Sequence, residues 1–328
     1  MYKFIKEFPK QLAEAIILGQ QAKLTPATKP IHHVLVSGMG GSGIGGTLVK
    51  QWVADLLPIP MEVNHTYTLP AYVNENTLLV IVTYSGNTEE TLHTLEAGIQ
   101  KQAQIVCITS GGAAKRLAEQ HGINLIPLPA DRPPRACLDH TTVQLLFVLR
   151  FYQLIAWDFV AEIQEAIQLL RQTQRSLQTE AQQIAMHIQG KYPVIYTTAA
   201  YEAVAIRLRQ QLNENSKQLC WHHVIPEMSH NEIVGWSSAH KHLAVFMLGS
   251  HTEPARIQLQ QHIAQAIIQK HAPSFITLQA QGRTYFIQSL YLIHLGDWLS
   301  FYLAQGKKVD PMEIAAIDQV KAGLNQCH

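Results

Sequence analysis

Residues 32–46 read HHVLVSGMGGSGIGG. Val34, Leu35 and Val36 form a short unbroken apolar run of the kind that becomes a strand buried on both faces. Gly38, Gly40, Gly41 and Gly43 follow as a turn in which backbone amides can approach a ligand closely, and a helix is predicted from about Ile44. The same strand, turn, helix order returns in LLVIVTYSGNTEETLHTLEAGIQ (78–100) and in AQIVCITSGGAAKRLAEQHG (103–122), and INLIPLPA (123–130) supplies a further strand. Strands alternating with helices of this length predict an α/β, doubly wound parallel sheet whose ligands sit beyond the carboxyl ends of the strands. All three turns then lie on one rim.

From His140 to Gln189 the chain holds almost no Gly or Pro, and its apolar residues recur at helical spacing, as in FVLRFYQLIAWDFVAEIQEAIQLL (147–170). This reads as a connecting helical stretch. At Tyr192 a second alternation begins: YPVIYTT (192–198) as strand, AAYEAVAIRLRQQLNE (199–214) as helix, LAVFMLGS (243–250) as strand, EPARIQLQQHIAQAIIQ (253–269) as helix, SFITLQA (274–280) as strand, then two closing helices. Two domains are expected, 1–150 with the glycine and hydroxyl turns, and 151–328 with linking helices and a second α/β domain lacking those glycines. A length of 328 residues fits two ordinary cores.

With 47% hydrophobic and 15% charged residues, the chain has apolar surface enough for large cores and too little charge for disorder. A net charge of +1 leaves no basic field for nucleic acid. MYKFIKEFPKQLAEAI (1–16) shows no leader, and no stretch approaches a membrane span, so a cytoplasmic location is expected. Cys107, Cys137, Cys220 and Cys327 lack CxxC spacing and read as reduced thiols. His222, His223, His230, His240 and His242 crowd one segment, but without HExxH or Cys/His ligand spacing no metal is expected.

Gly38, Gly40 and Gly43 also satisfy GxGxxG, so a dinucleotide site is a rival. Against it, IPMEVNHTY (59–67) ends the second strand without the acidic residue a ribose requires, and no Gly-Lys-Ser/Thr follows to make a Walker loop. The second turn, TYSGNTEET (83–91), gathers Thr83, Ser85, Asn87, Thr88 and Thr91 at a helix N-terminus. Hydroxyls and amides there can bind a phosphate monoester without a fixed cation, although such a run alone is also an ordinary helix cap.

The chain resembles the SIS (sugar isomerase) family at this turn. GMGGSGIGG, YSGNTEET, PPRACLDH, LNENSK, PEMSHNEIVGW and GDWLSFYLAQGKKVDP occur in the order seen in the bifunctional phosphoglucose/phosphomannose isomerases. The resemblance implies two SIS-type, flavodoxin-like domains and interconversion of glucose 6-phosphate and mannose 6-phosphate with fructose 6-phosphate, with no cofactor. It also implies that Gly41, Ser42, Ser85, Asn87 and Thr88 bind substrate, and that Glu214 is the base moving a proton between carbons 1 and 2. Arg135 would stabilise the enediolate, His230 would open the sugar ring from the neighbouring subunit of a homodimer, and Lys307 (with Lys308 as its neighbour) would assist at the ring oxygen. Ser300 falls where relatives accepting both epimers carry a small hydroxyl residue.

Overall fold

The computed structural model describes residues 1–324, so Cys327 lies outside the described residues. The opening helical segment is split into α1 (Tyr2–Lys6) and α2 (Phe8–Gln21). Pro9 sits in the first turn of α2, where its missing N–H has no intrahelical acceptor to lose. The elements of the first sheet follow in the order β1 (His33–Ser37), α3 (Gly40–Trp52), β2 (Met61–Asn64), β3 (Thr77–Thr83), α4 (Glu89–Gln100), β4 (Gln104–Thr109), α5 (Gly112–Gln120) and β5 (Asn124–Pro127). The five strands are all parallel, in the spatial order β2-β1-β3-β4-β5. Every residue of β3 is buried, as a central strand covered on both faces requires.

The order reverses between β1 and β3, and at such a switch point the two following helices diverge and leave a crevice at the carboxyl edge. The turns 38–40 and 84–88 lie at that point. On one face of the sheet Leu35, Leu79, Ile81, Leu95, Ile105 and Cys107 form part of a continuous core, each side chain of this size contributing about 1.5–3 kcal/mol by leaving water. Next come α6 (Leu138–Phe151) and α7 (Phe159–His187). The connecting helical stretch is divided at 152–158, a boundary that was not located from the sequence. Gln153 takes a left-handed φ of 56°, and Leu154 N–H reaches back to Leu149 O at 2.9 Å, a Schellman-type stop made without glycine.

The second sheet contains β6 (Tyr192–Thr198), α8 (Glu202–Ser216), β7 (Trp221–Ile225), β8 (Leu243–Gly249), α9 (Ala255–Ile268) and β9 (Phe275–Gln279), followed by α10 (Tyr285–Lys307) and α11 (Ala315–Leu324). Its four parallel strands run β7-β6-β8-β9, again with a reversal beside the first strand. The edge strand β7 was not predicted from the sequence. It is half-exposed and carries two adjacent histidines, so it offers no apolar run.

The chain divides into two compact units: Lys6–Arg171 with Tyr285–Ile287, and Met1–Ile5 with Gln172–Thr284 and Gln288 onward. In the first, Phe286 packs edge-on against Trp52 and Trp157 with ring centroids 4.7 and 4.8 Å apart. In the second, Tyr2 packs on Trp298 at 5.2 Å. No described helix is long and apolar enough to cross a membrane.

Candidate active site

In the first unit, α3 starts at Gly40 rather than near Ile44. The reason is that most of its glycines serve close packing inside the helix, not a turn. A Cβ on Gly43 would lie 2.4 Å from Gly38 O, one on Gly45 would lie 2.9 Å from Thr141 Oγ1, and one on Gly46 would lie 2.8 Å from Val36 Cγ1. A side chain there would push α3 off the sheet and tilt its N-terminus away from the rim. At that N-terminus Ser42 is 6% exposed, and its Oγ accepts the N–H of Tyr84 at 3.2 Å, joining the first turn to the second.

The second turn is joined in the same way to the third. Tyr84 O accepts both N–H (3.0 Å) and Oγ–H of Ser110, and Asn87 Oδ1 accepts the N–H of Ala113 at 3.0 Å. Gly86 and Gly112 have φ of +69° and +72° where these turns touch, and each occupies a place with no room for a Cβ. Thr88 is the N-cap residue of α4, yet its side chain makes no capping hydrogen bond and instead accepts from Thr83 Oγ1 at 3.2 Å. Ser85 is exposed, its Oγ accepting Asn87 N–H at 3.3 Å. Thr91 Oγ1, one turn into α4, is buried without a hydrogen-bond partner among the described residues. The ordinary capping reading of this turn is therefore not realised. A rim of hydroxyls and amides at a helix N-terminus is suited to an oxyanion, worth up to about 2 kcal/mol from the helix field alone.

Arg135 lies in a short 3-10 turn, Pro134–Ala136, and is 3% exposed, which rules out a surface ion pair. Its backbone presses on α3: a Cβ at Gly41 would be 3.1 Å from both Arg135 Cα and N. Gly41, Ser42 and Arg135 are thus brought together. Tyr84 Oη accepts Arg132 N–H at 3.2 Å and fastens the same loop to the second turn. Beneath it, Asp139 Oδ1 accepts the N–H (2.7 Å) and Nδ1–H (2.9 Å) of buried His140. Cys137, Asp139 and His140 are the one group of potential metal-binding side chains among the described residues. Burial, with the Asp139 carboxylate beside it, pushes the Cys137 thiol well up.

In the second unit, Glu214 is half-buried on the last turn of α8. Lys217, just beyond it, takes a left-handed φ of 50°, a place usually left to glycine. Its Nζ donates to the carbonyls of Glu214 (2.9 Å), Asp310 (2.7 Å) and Glu313 (2.8 Å), which offsets that strain and caps the helix. Lys307 Nζ donates to Lys217 O (2.9 Å) and Gln218 Oε1 (3.1 Å), and burial lowers its pKa. Lys308 is exposed with φ 57°. Asn215 Nδ2 donates to Ser300 Oγ at 2.9 Å, and one and two turns earlier Gln211 and Arg207 bind buried Asp297 at 2.7 and 3.2 Å. Glu214, Lys307 and Ser300 are therefore held by one polar seam between α8 and α10.

His230 stands apart in this unit, exposed in the loop after β7. Leu219 just before β7, Trp221 at its start and Val234 in the same loop as His230 are 76%, 41% and 75% exposed. The loop is fixed by Glu232, whose carboxylate accepts from Tyr196 Oη (2.5 Å), Trp221 Nε1 (3.2 Å) and His223 Nδ1 (2.8 Å). Burial works to raise the Glu232 pKa, but these three donors outweigh it and hold the carboxyl below its ordinary value. Asn215, Lys217 and Glu232 were not singled out from the sequence, although all three lie inside motifs that were.

Two parallel α/β sheets, the first with a hydroxyl-rich turn at its switch point, define an SIS-domain protein. The SIS domain model matches residues 29–152, and the bacterial phospho-glucose isomerase C-terminal SIS domain model matches residues 177–324. Among solved structures, the chain is similar in fold to the C-terminal domain of glucosamine-fructose-6-phosphate aminotransferase from Francisella tularensis (TM-score 0.77, 18% identity, 95% of this chain and 97% of that one). It is 32% identical over 335 residues to the bifunctional phosphoglucose/phosphomannose isomerase of Caldicellulosiruptor bescii, covering 99% of this chain and 98% of that one. The protein of the same name from Aquifex aeolicus is 32% identical over 90% of this chain and 92% of its own length. The chain belongs to the bifunctional phosphoglucose/phosphomannose isomerase family.

Proposed function

We propose that this protein interconverts glucose 6-phosphate and mannose 6-phosphate with fructose 6-phosphate. The observation that carries the proposal is that the family likeness spans both halves, so it includes Glu214, Ser300 and Lys307 as well as the anion rim. A protein that only bound phosphosugars would need the rim and no base.

The substrate phosphate is held by Ser85, Asn87 and Thr88, with the orphaned Thr91 hydroxyl beneath them. Gly41 and Ser42 face the sugar from the N-terminus of α3. His230 moves the proton that opens the ring, since an imidazole can give a proton from one nitrogen and take one at the other. Lys307 assists at the ring oxygen; its ammonium has three donors and gives two of them to Lys217 O and Gln218 Oε1. The Glu214 carboxylate then takes the proton from carbon 2 of the aldose and returns it to carbon 1. Arg135, a cation already desolvated, balances the negative charge that develops on the enediolate oxygens. Ser300 is small enough to leave space for rotation about the carbon 2–carbon 3 bond, so both epimers are accepted.

Exposed Leu219, Trp221 and Val234, on β7 and the segments flanking it, favour a homodimer in which the His230 loop completes the partner's site. The protein acts in the cytoplasm, where hexose phosphates are made and used. The reaction is tested by a coupled assay for fructose 6-phosphate from each aldose in wild type and Glu214→Gln. Turnover of both sugars that collapses in the variant supports the proposal; turnover of neither overturns it.

A further inference from the structure

Glu232 is two residues from His230, yet nothing in the reaction above requires it. Its carboxylate is the meeting point of two strands and a loop: Tyr196 belongs to β6, Trp221 and His223 to β7, and Trp236 at the far end of the loop donates through Nε1 to Tyr196 Oη at 2.9 Å. Asn231, between the two residues, accepts the Glu232 N–H at 2.5 Å and donates to Glu227 Oε1 at 2.9 Å, tying the loop to itself. Around it, His230, Asn231, Val234 and Gly235 are exposed, and the loop's apolar anchors are buried Met228 and Trp236 with half-buried Ile233 packed on the same core. A segment with so few apolar contacts keeps one conformation only if polar anchors fix it.

We propose that Glu232 is a positioning residue for ring opening, fixing the loop so that His230 is presented in one orientation. The inference rests on the ring-opening role given to His230 above. Glu232 does not itself exchange protons with the sugar, because three donors already occupy its oxygens. Misplacing a proton-transfer group by about an ångström costs on the order of a hundredfold, so this anchor is worth at least tenfold in ring opening.

The test separates ring opening from isomerisation by chemistry. 5-Deoxyfructose 6-phosphate lacks the hydroxyl that closes the furanose and stays open-chain, so it needs the base but not His230. Exchange of a carbon 1 proton in deuterated water, followed by NMR, reads both this compound and fructose 6-phosphate. Glu232→Ala should lower exchange with fructose 6-phosphate about tenfold or more and change the acyclic compound by less than about threefold. His230→Ala should show the same selectivity, and the double variant should be no slower than His230→Ala. Should Glu232→Ala fold poorly, Glu232→Gln, which keeps the Tyr196 and Trp221 hydrogen bonds, carries the same comparison with a smaller selective loss. Equal loss on both compounds, no loss on fructose 6-phosphate, or additive effects in the double variant would overturn the role of Glu232. If His230→Ala itself lacks the selectivity, the ring-opening assignment fails first and the Glu232 proposal falls with it.

Discussion

Asn215 donates through Nδ2 to the hydroxyl of Ser300 at 2.9 Å, and the same hydroxyl donates to the carbonyl of Asp297 at 2.8 Å. Both side chains are fully buried, and they join the helix bearing the proposed base to the helix facing it. Under the proposed function the Ser300 hydroxyl would act through its size and through Asn215, not by a hydrogen bond to the sugar. Ser300→Thr should keep both hydrogen bonds and activity within about threefold. Ser300→Ala leaves a buried amide unsatisfied, costing about 1–3 kcal/mol of stability, and should slow glucose and mannose 6-phosphates alike. A change in KM for only one epimer would instead indicate direct contact with the sugar. Steady-state kinetics on both aldoses decides.

Thr88 offers a hydroxyl that its own helix does not use for capping. Thr88→Val, nearly isosteric, should raise KM for both aldoses about tenfold or more, since a hydrogen bond to a charged group contributes about 1.5–3 kcal/mol. It should leave kcat much less affected. A fall in kcat at constant KM would move Thr88 from phosphate binding to the chemical step.

Gly86 cannot be replaced without parting two turns, because an added Cβ would lie 1.7 Å from Gly111 O at a φ of +69°. Gly86→Ala should destabilise the unit containing it by about 3 kcal/mol or more. Gly122, also at positive φ but with nothing near its Cβ position, is the control, and Gly122→Ala should cost only about 1 kcal/mol. Denaturant unfolding of the two variants measures the difference.

His294 is buried beside Trp298, whose Nε1 donates to its Nε2 at 3.2 Å, and burial pushes the imidazole down from 6.5 to about 3. The unfolded chain takes up this proton near pH 6.5 and the folded chain does not until about pH 3. The associated stability is therefore complete above pH 6.5 and is lost as pH falls from 6.5 toward 3, by up to about 1.4 kcal/mol per pH unit. His294→Gln keeps an acceptor for Trp298 and does not titrate, so stability measured at pH 7 and pH 5 should differ less in the variant. An unchanged difference would count against a buried neutral imidazole.

Mixed dimers test where His230 acts. Glu214→Gln and His230→Ala chains, each strongly impaired alone on cyclic substrates, should regain part of the wild-type activity when co-assembled if the histidine serves the partner's site. They should regain none if it serves its own.

The turns and the parallel sheets were legible because each is imposed locally: a positive φ calls for glycine, and a strand covered on both faces calls for an unbroken apolar run. The start of α3 was misplaced because glycine can also mark close approach, and the sequence does not say which. The stop after α6 and the strand β7 went unseen, the first because Gln153 rather than glycine takes the left-handed turn, the second because an edge strand with His222 and His223 carries no apolar signature. Family resemblance named Glu214 and His230, but their supports were invisible to it. Asn215 meets Ser300 across 85 residues, and Glu232 meets Tyr196 across 36, so their roles exist only once the chain has folded.

Neither compact unit is a contiguous piece of chain: residues 1–5 belong with the later unit, and 285–287 with the earlier one. A single crossover near residue 171 between two related genes would hand each half a mismatched fragment, with Tyr2 and Phe286 inherited apart from the aromatic residues they pack on. Cutting the chain near residue 171 would therefore leave each half without a short segment that its own aromatic residues pack on.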